Sequence, residues 1–243
     1  SMILKLAYLG NPPFTEPLPL SAIAVLPSSD QMLFAVTERT GLKSFADIRE
    51  RSFPLKVSLR GQRDHSLHII TKHVLAAAGC SLDDIVSWGG EVRYDAGMAY
   101  GANRIGAVQR GEIDAIFDEG ASTWGNMALE LGMTFLNLGE EMLQRLEEIG
   151  LRRGLIERAN FPKLASDVPT LDFSGWPIYT HNNTADTLVT DFCRALETSK
   201  DRIPWAQDAP LPLAQMVRDT AEGHLEVPLH PAAERFWREK GYL

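Results

Sequence analysis

Cysteine is almost missing from this chain: there are two in 243 residues, Cys80 and Cys193. They are far apart, and each lies in or beside an apolar helical pattern, Leu75 to Cys80 and Leu188 to Leu196. Buried free thiols are therefore expected rather than a disulfide, and neither cysteine has zinc-ligand spacing. Long apolar runs are missing too. No stretch reaches the ~18 to 20 residues of a membrane helix, because Pro27, Gly79 and charged residues interrupt the longest ones. Membrane insertion is not expected. Positive charge is in deficit: 24 Lys and Arg against 32 Asp and Glu give a formal net charge of −8. Arg152-Arg153 beside Glu157 and Arg158 makes a mixed face rather than a basic stripe, so nucleic acid is not an expected partner.

Signatures of catalysis are absent as well. The six histidines, His65, His68, His73, His181, His224 and His230, form no H-E-x-x-H pattern. His68 and His73 are five apart and would diverge on a helix. There is no G-x-S-x-G elbow and no Cys–His signature, and the glycines fit neither a P-loop nor a dinucleotide fingerprint; Gly101 to Gly106 lacks the spacing. No metal, cofactor or catalytic residue is expected on these grounds. The N-terminus carries no secretory signal, and Ser1-Met2 reads as a cloning remnant or as a residue preceding a native Met. The location is then periplasmic if the protein is exported, and cytoplasmic if it starts natively at Met2.

What is present is enough apolar material, 44% of residues, for one large domain or two lobes. Ile3 to Tyr8 alternates weakly and stops at Gly10-Asn11-Pro12-Pro13. Ser21 to Leu26 and Met32 to Thr37 read as strands around the turn Pro27-Ser28-Ser29-Asp30, and Ser44 caps a short helix with Asp47 three residues on. From Leu55 the chain alternates: strand Leu55 to Leu59, helix Leu67 to Ala78, strand Ile85 to Gly89, helical turn Ile105 to Arg110, strand Ile113 to Phe117, helix Trp124 to Leu131, strand Thr134 to Leu138 and helix Glu140 to Ile149. Parallel pairing follows naturally from that order. Phe161 to Pro169 is a proline-bounded connector, and Thr170 to Thr180 is a β-rich return crossing broken by Gly175 and Pro177. Helices are expected at Thr184 to Glu197, Leu213 to Asp219 and Pro231 to Lys240.

The candidate site lies at strand ends, where open α/β sheets collect ligands. Arg60-Gly61-Gln62-Arg63-Asp64-His65-Ser66 turns directly from a strand into a helix. Free N–H groups of a first helical turn favour an anion, and Arg60, Arg63, His65 and Ser66 add side-chain donors; an ordinary cap with a solvated basic turn is the simpler alternative. Two more polar turns, at Ser28 and Asp30 and at Asp118 to Trp124, could face the same cleft, with Glu119 accepting from a ligand or positioning Arg63. Trp124, Trp176 and Tyr179 are candidates for an aromatic wall, as is Trp88, though each taken singly suits a core better. His65, beside Arg63 and a helix N-terminus, is expected to titrate low.

Four segments carry a resemblance: Ala22 to Leu26, Thr40 to Ile48, Val108 to Phe117, and Val227 to Gly241 with its P-L-H-P-x-A-E-R run. In order, over almost the whole chain, they resemble the TAXI family of TRAP-transporter solute receptors. The middle two are shared by many type II periplasmic binding proteins, and the last is more specific. The resemblance implies an α/β, two-lobed type II periplasmic-binding-protein-like fold with mixed sheets flanked by helices. It implies capture of a small organic anion in an interlobe cleft and delivery to TRAP permease subunits. The family's ligand turns correspond to Gly61 to Ser66 and to Asp118 to Ser122. Two departures stand out. Ala7 to Phe14 resembles a segment already well into the family's first lobe, so that lobe is expected to be incomplete. Arg63-Asp64-His65 replaces the small residues usual in the ligand turn. The lobes are expected at 1–53 with 174–243, and at 54–173. Two other classes compete: an enzyme such as a lyase or decarboxylase using Glu119 and His65, or a non-transport ligand sensor or interaction module in which exposed sheet edge favours a homodimer.

Overall fold

The computed structural model describes residues 2–26, 28–202, 216–218 and 225–243. It divides into two compact units, Ser1–Ser29 with Phe173–Leu243, and Asp30–Asp172. Sheets flanked by helices are found in both, as expected, and the mixed pairing belongs to the five-stranded sheet of the second unit.

In the discontinuous unit, α1 (Met2–Leu9) occupies the segment that alternates weakly in sequence, with Met2, Leu4, Leu6 and Ala7 buried. Strand β1 (Leu20–Leu26) pairs antiparallel with β9 (Trp176–His181), so the return strand is laid directly on the first one. Helices α8 (Asp186–Ser199) and α9 (Pro231–Glu239) complete it. Val189, Cys193, Ala233 and Trp237 pack with Ile23 and Ala24, and the Trp237 indole N–H donates to the Ile23 carbonyl at 2.7 Å. The C-terminal His-Pro motif starts α9: His230 Nδ1 accepts from the Ala232 N–H, and its Nε2 lies 3.0 Å from the Thr184 carbonyl. That is a structural duty. Of the helix expected at Leu213 to Asp219, Leu213 to Gln215 and Asp219 lie outside the described residues, as do Pro27 and His224.

The continuous unit is built on a five-stranded sheet of order β4-β3-β5-β2-β6. Its strands are β2 (Leu33–Thr37), β3 (Lys56–Arg60), β4 (Glu91–Asp95), β5 (Ala115–Asp118) and β6 (Met133–Phe135). Strand β3 runs parallel to β4 and β5, whereas β2 runs antiparallel to β5 and β6, so pairing is mixed and not wholly parallel. Through β2, residues 30–53 fall in the same unit as 54–172, not with the first lobe as expected from the sequence. A buried cluster including Leu33, Ile116, Trp124, Phe135 and Phe161 fills one face.

Helix α2 (Phe45–Glu50) starts at Ser44 with a complete capping box, the Asp47 carboxylate accepting from the Ser44 N–H and Ser44 Oγ from the Asp47 N–H. Helices α3 (Leu67–Ala77), α5 (Ala102–Gln109), α6 (Ala121–Glu130) and α7 (Glu140–Glu148) fall where helical periodicity places them. The expected strand at Ile85 to Gly89 is instead α4 (Leu82–Ser87), capped by Ser81, and the strand follows as β4. The connector beyond Gly150 holds a hairpin, β7 (Arg153–Ile156) on β8 (Val168–Leu171). Cys80 and Cys193 are buried free thiols, and burial pushes both up to about 11. Among the described residues no helix is long and apolar enough to cross a membrane.

Candidate functional site

Because β4, β3 and β5 are parallel neighbours, their carboxyl ends open on one edge of the continuous unit. Each ends in a polar connection: the 61–66 turn, the 96–101 loop, and Glu119-Gly120. The backbone is tight here. The Gly61 N–H donates to the Asp95 carbonyl at 2.8 Å, and a Cβ at Gly61 would stand 2.9 Å from that residue's backbone. Gly120 takes the left-handed conformation (φ 81°) that turns the chain from β5 into α6.

Alternation along β3 sends Ser58 and Arg60 to the face covered by α5, where they meet Arg104 and Asp118. All four are buried. Asp118 is the hub. Arg60 grips it with Nε at 3.2 Å and Nη2 at 2.5 Å, Arg104 Nη1 donates to the same carboxylate, and the Glu119 N–H adds a bond at 3.0 Å. Arg104 also donates to Ser58 Oγ at 3.0 Å and the Ser58 carbonyl at 3.1 Å, and Ser58 Oγ donates to Asp95 at 2.7 Å. Burial lowers the pKa of Arg104, only partly offset by Asp118; burial acts the same way on Arg60, but there Asp118 and Glu119 outweigh it and the pKa rises.

Glu119 stands on this platform. Its Oε1 lies 3.3 Å from Arg60 Nη2 and 3.7 Å from His65 Nε2, while Oε2 is buried with no hydrogen-bond partner among the described residues. Burial, then the nearby Asp30 charge, push Glu119 up to about 7 against the pull of Arg60. Asp30 accepts from the Gly120 N–H at 2.6 Å, and burial raises it to about 6 despite that bond. His65 titrates low, first because it is buried and then because Arg60 is close, so the sequence reading had the direction right but named a different arginine. Its Nδ1 accepts from the Leu67 N–H at 3.3 Å, which leaves the proton of the neutral ring on Nε2.

The structure thus brings Asp30, Arg60, His65 and Glu119 together. Arg63 is exposed, its guanidinium 3.5 Å above the Tyr94 ring. Ser66 is half-buried and makes no capping bond, its expected duty being taken by the His65 ring. The anion-receiving helix start is largely closed: the N–H groups of His65, Leu67, His68, Ile69 and Ile70 all have acceptors within the turn. Trp124 is a core residue at 1% exposure, and its indole N–H holds the Glu119 carbonyl at 2.7 Å, so it supports the site from beneath instead of walling it. Trp88 closes α4 as its C-cap residue. Ser28, Trp176 and Tyr179 belong to the discontinuous unit. Ser28 Oγ accepts from the Gly175 N–H at 3.0 Å, and Trp176 and Tyr179 lie exposed on β9. Arg104 escapes sequence reasoning; its one signal is an arginine sharing a helix face with Ala107 and Val108.

The sequence pattern of the NMT1-like family matches residues 1–241. None of the curated proteins matches the chain. Among solved structures it is similar to the alkanesulfonate-binding protein SsuA from Xanthomonas axonopodis pv. citri bound to MOPS, at 15% identity over 90% of this chain and 59% of that one, with a TM-score of 0.37. A TctC solute binding protein from Polaromonas is similar at 13% identity, covering 79% of this chain and 58% of that one, with a TM-score of 0.39. The L-cystine solute receptor of Neisseria gonorrhoeae in the unliganded open conformation is similar at 10% identity, covering 78% and 63%, with a TM-score of 0.29. The chain spans less than two thirds of the length of each.

Proposed function

This chain belongs to the NMT1-like family, and from that premise we propose that it is a solute receptor: it captures a small organic molecule at the strand-end corner of the continuous unit and delivers it to a membrane permease. The observation that carries the reading is the assembly of Arg60, His65, Asp118 and Glu119 at the carboxyl ends of parallel strands, with one carboxyl oxygen left unpartnered among the described residues. Buried ionic networks rarely add net stability, so their placement at a ligand-binding edge is better read as function.

The finer reading is a carboxylate ligand and a TRAP-type permease, in a periplasmic receptor of TAXI type, which the C-terminal P-L-H-P run supports. Arg60 is committed to Asp118 and Glu119, so the carboxylate would fall to the exposed Arg63 and the Ser66 hydroxyl. A thermal-shift screen of small organic solutes on the intact chain tests the receptor reading, and absence of any stabilising compound would remove it. Loss of response to organic acids in Arg63→Ala, with affinity tightening as pH falls from 8 to 6, is the outcome expected of the carboxylate version.

One observation favours the lyase or decarboxylase reading: Glu119 at about 7 is matched to proton transfer near neutrality and lies beside His65. Incubating a stabilising compound with the protein and finding new product would select it.

A further inference from the structure

The hydrogen-bonding inventory of the corner narrows the solute. Arg60 donates to Asp118, to Glu119 and, at 3.3 Å, to the Met98 sulfur, and Arg104 is spent on Ser58 and Asp118. Every nitrogen of both guanidinium groups is therefore engaged, and their charge is balanced by carboxyls on neighbouring elements: buried Asp118 at the end of β5, and half-buried Glu119 just beyond it, Asp30 before β2 and Asp95 at the end of β4. A second full charge entering this corner would lose its hydration without finding an unpaired counter-ion. What remains unpaired is a neutral donor beside an acceptor. His65 carries its proton on Nε2, which among the described residues reaches no atom at hydrogen-bond distance and lies 3.7 Å from Glu119 Oε1. Glu119 Oε2 is unpartnered, and its soft terminal torsion can present either oxygen.

On the reading that the solute binds at this corner, we propose that it presents an uncharged amide or urea group there, its N–H donating to Glu119 and its carbonyl accepting from His65 Nε2–H. A site that leaves both polar atoms wanting selects against analogues lacking either partner. A carboxylate offers only acceptors and would face the Glu119 oxygens, so the amide stands against the carboxylate version of the receptor reading, and the matched pairs decide between them.

The test uses the intact chain at pH 7.5 with matched pairs on one skeleton: benzamide and benzoate, succinamide and succinate, glutaramide and glutarate. The expected result is stabilisation and calorimetric binding by at least one amide, with its acid at least about tenfold weaker, and loss of the amide response in both Glu119→Ala and His65→Phe. Glu119→Met, which keeps the side-chain length but removes the acceptor, serves if the alanine variant fails to fold, and circular dichroism establishes folding in each. Acids that bind as well as or better than their amides would overturn the proposal and leave the receptor reading intact. So would an amide response that survives in the Glu119 variants, or a broad screen whose binders carry no amide or urea. No binder in either the pairs or the broad screen would overturn both.

Discussion

Glu119 and Arg104 show what each side chain at the corner costs. A carboxyl that releases its proton near 4.5 when unfolded but holds it to about 7 when folded makes the folded state bind more protons in between. Stability is then full below about 4.5 and falls as pH rises through 7. Asp30, raised from 3.8 to about 6, acts in the same sense over a lower window. The Glu119→Gln variant fixes the uncharged form, so it should match wild type near pH 4 and exceed it at pH 8 by on the order of 2 kcal/mol, measured by urea unfolding at both values. His65, held below its usual pKa, acts in the opposite sense over this window, so the comparison with the variant decides: a Glu119→Gln advantage that does not grow with pH would show that Glu119 ionises freely. Arg104 works the other way: it is buried against a buried carboxylate, so Arg104→Met leaves Asp118 short of a partner and should cost about 3 to 5 kcal/mol. Pairing it with Asp118→Leu should recover much of that loss, because breaking a buried pair is worse than replacing it. A double variant no more stable than Arg104→Met would mean that Arg60, stranded by the same change, costs as much as the pair is worth.

At the level of elements, Ser44 is the simplest lever. Its hydroxyl and the Asp47 carboxylate satisfy two donors that α2 would otherwise leave open, so Ser44→Ala should lower stability by about 1 kcal/mol, read as a shift of the denaturant midpoint at unchanged slope. That cap was legible in the sequence, as were β3, the 60–66 turn and the Asp118-Glu119 strand end, because capping residues and strand-turn-helix order are local signals. Where signals conflicted, the stronger-looking one misled. Ile85-Val86-Ser87-Trp88 has β-rich composition, but Ser81 and Asp84 form a cap three residues apart, and the cap decides the segment as α4. The hairpin β7–β8 was hidden by prolines; Pro169 sits within β8, opposite Leu155 in the register. The chemistry was partly legible. His65 and Glu119 were visible as residue types at strand ends, but the consumption of Arg60 by Asp118 depends on a pairing 58 residues apart. Arg104 was invisible because an arginine on a buried helix face looks like an ordinary surface charge until its partner is known.

For the whole molecule, the division into units follows from how far apart in sequence the paired strands are. The strand β1 finds its partner only at β9, so the first unit needs both ends of the chain, whereas every strand of the five-stranded sheet lies between Leu33 and Phe135. The assignment of 30–53 could not be read locally, since β2 carries the same apolar run whichever sheet it joins; its antiparallel partners β5 and β6 decide it. A consequence is that the Asp30–Asp172 segment contains its own core, from Leu33 to Val168, and all of Asp30, Arg60, His65, Arg104, Asp118 and Glu119. At 143 residues, counting 30 through 172 inclusive, it is within the size range of domains that bury enough surface to fold alone. Expressed as residues 30–172, it should give a cooperative thermal transition with mixed helix and strand by circular dichroism, and its stability should keep the fall between pH 5 and 8 assigned to Glu119. The chain cut to 54–173 should not fold cooperatively, because removing β2 takes away the strand that joins β5 to β6 and exposes Ile116 and Phe117 along a new edge. If the shorter segment folded as well as the longer one, β2 would be dispensable to the sheet and the boundary near residue 30 would be without energetic meaning.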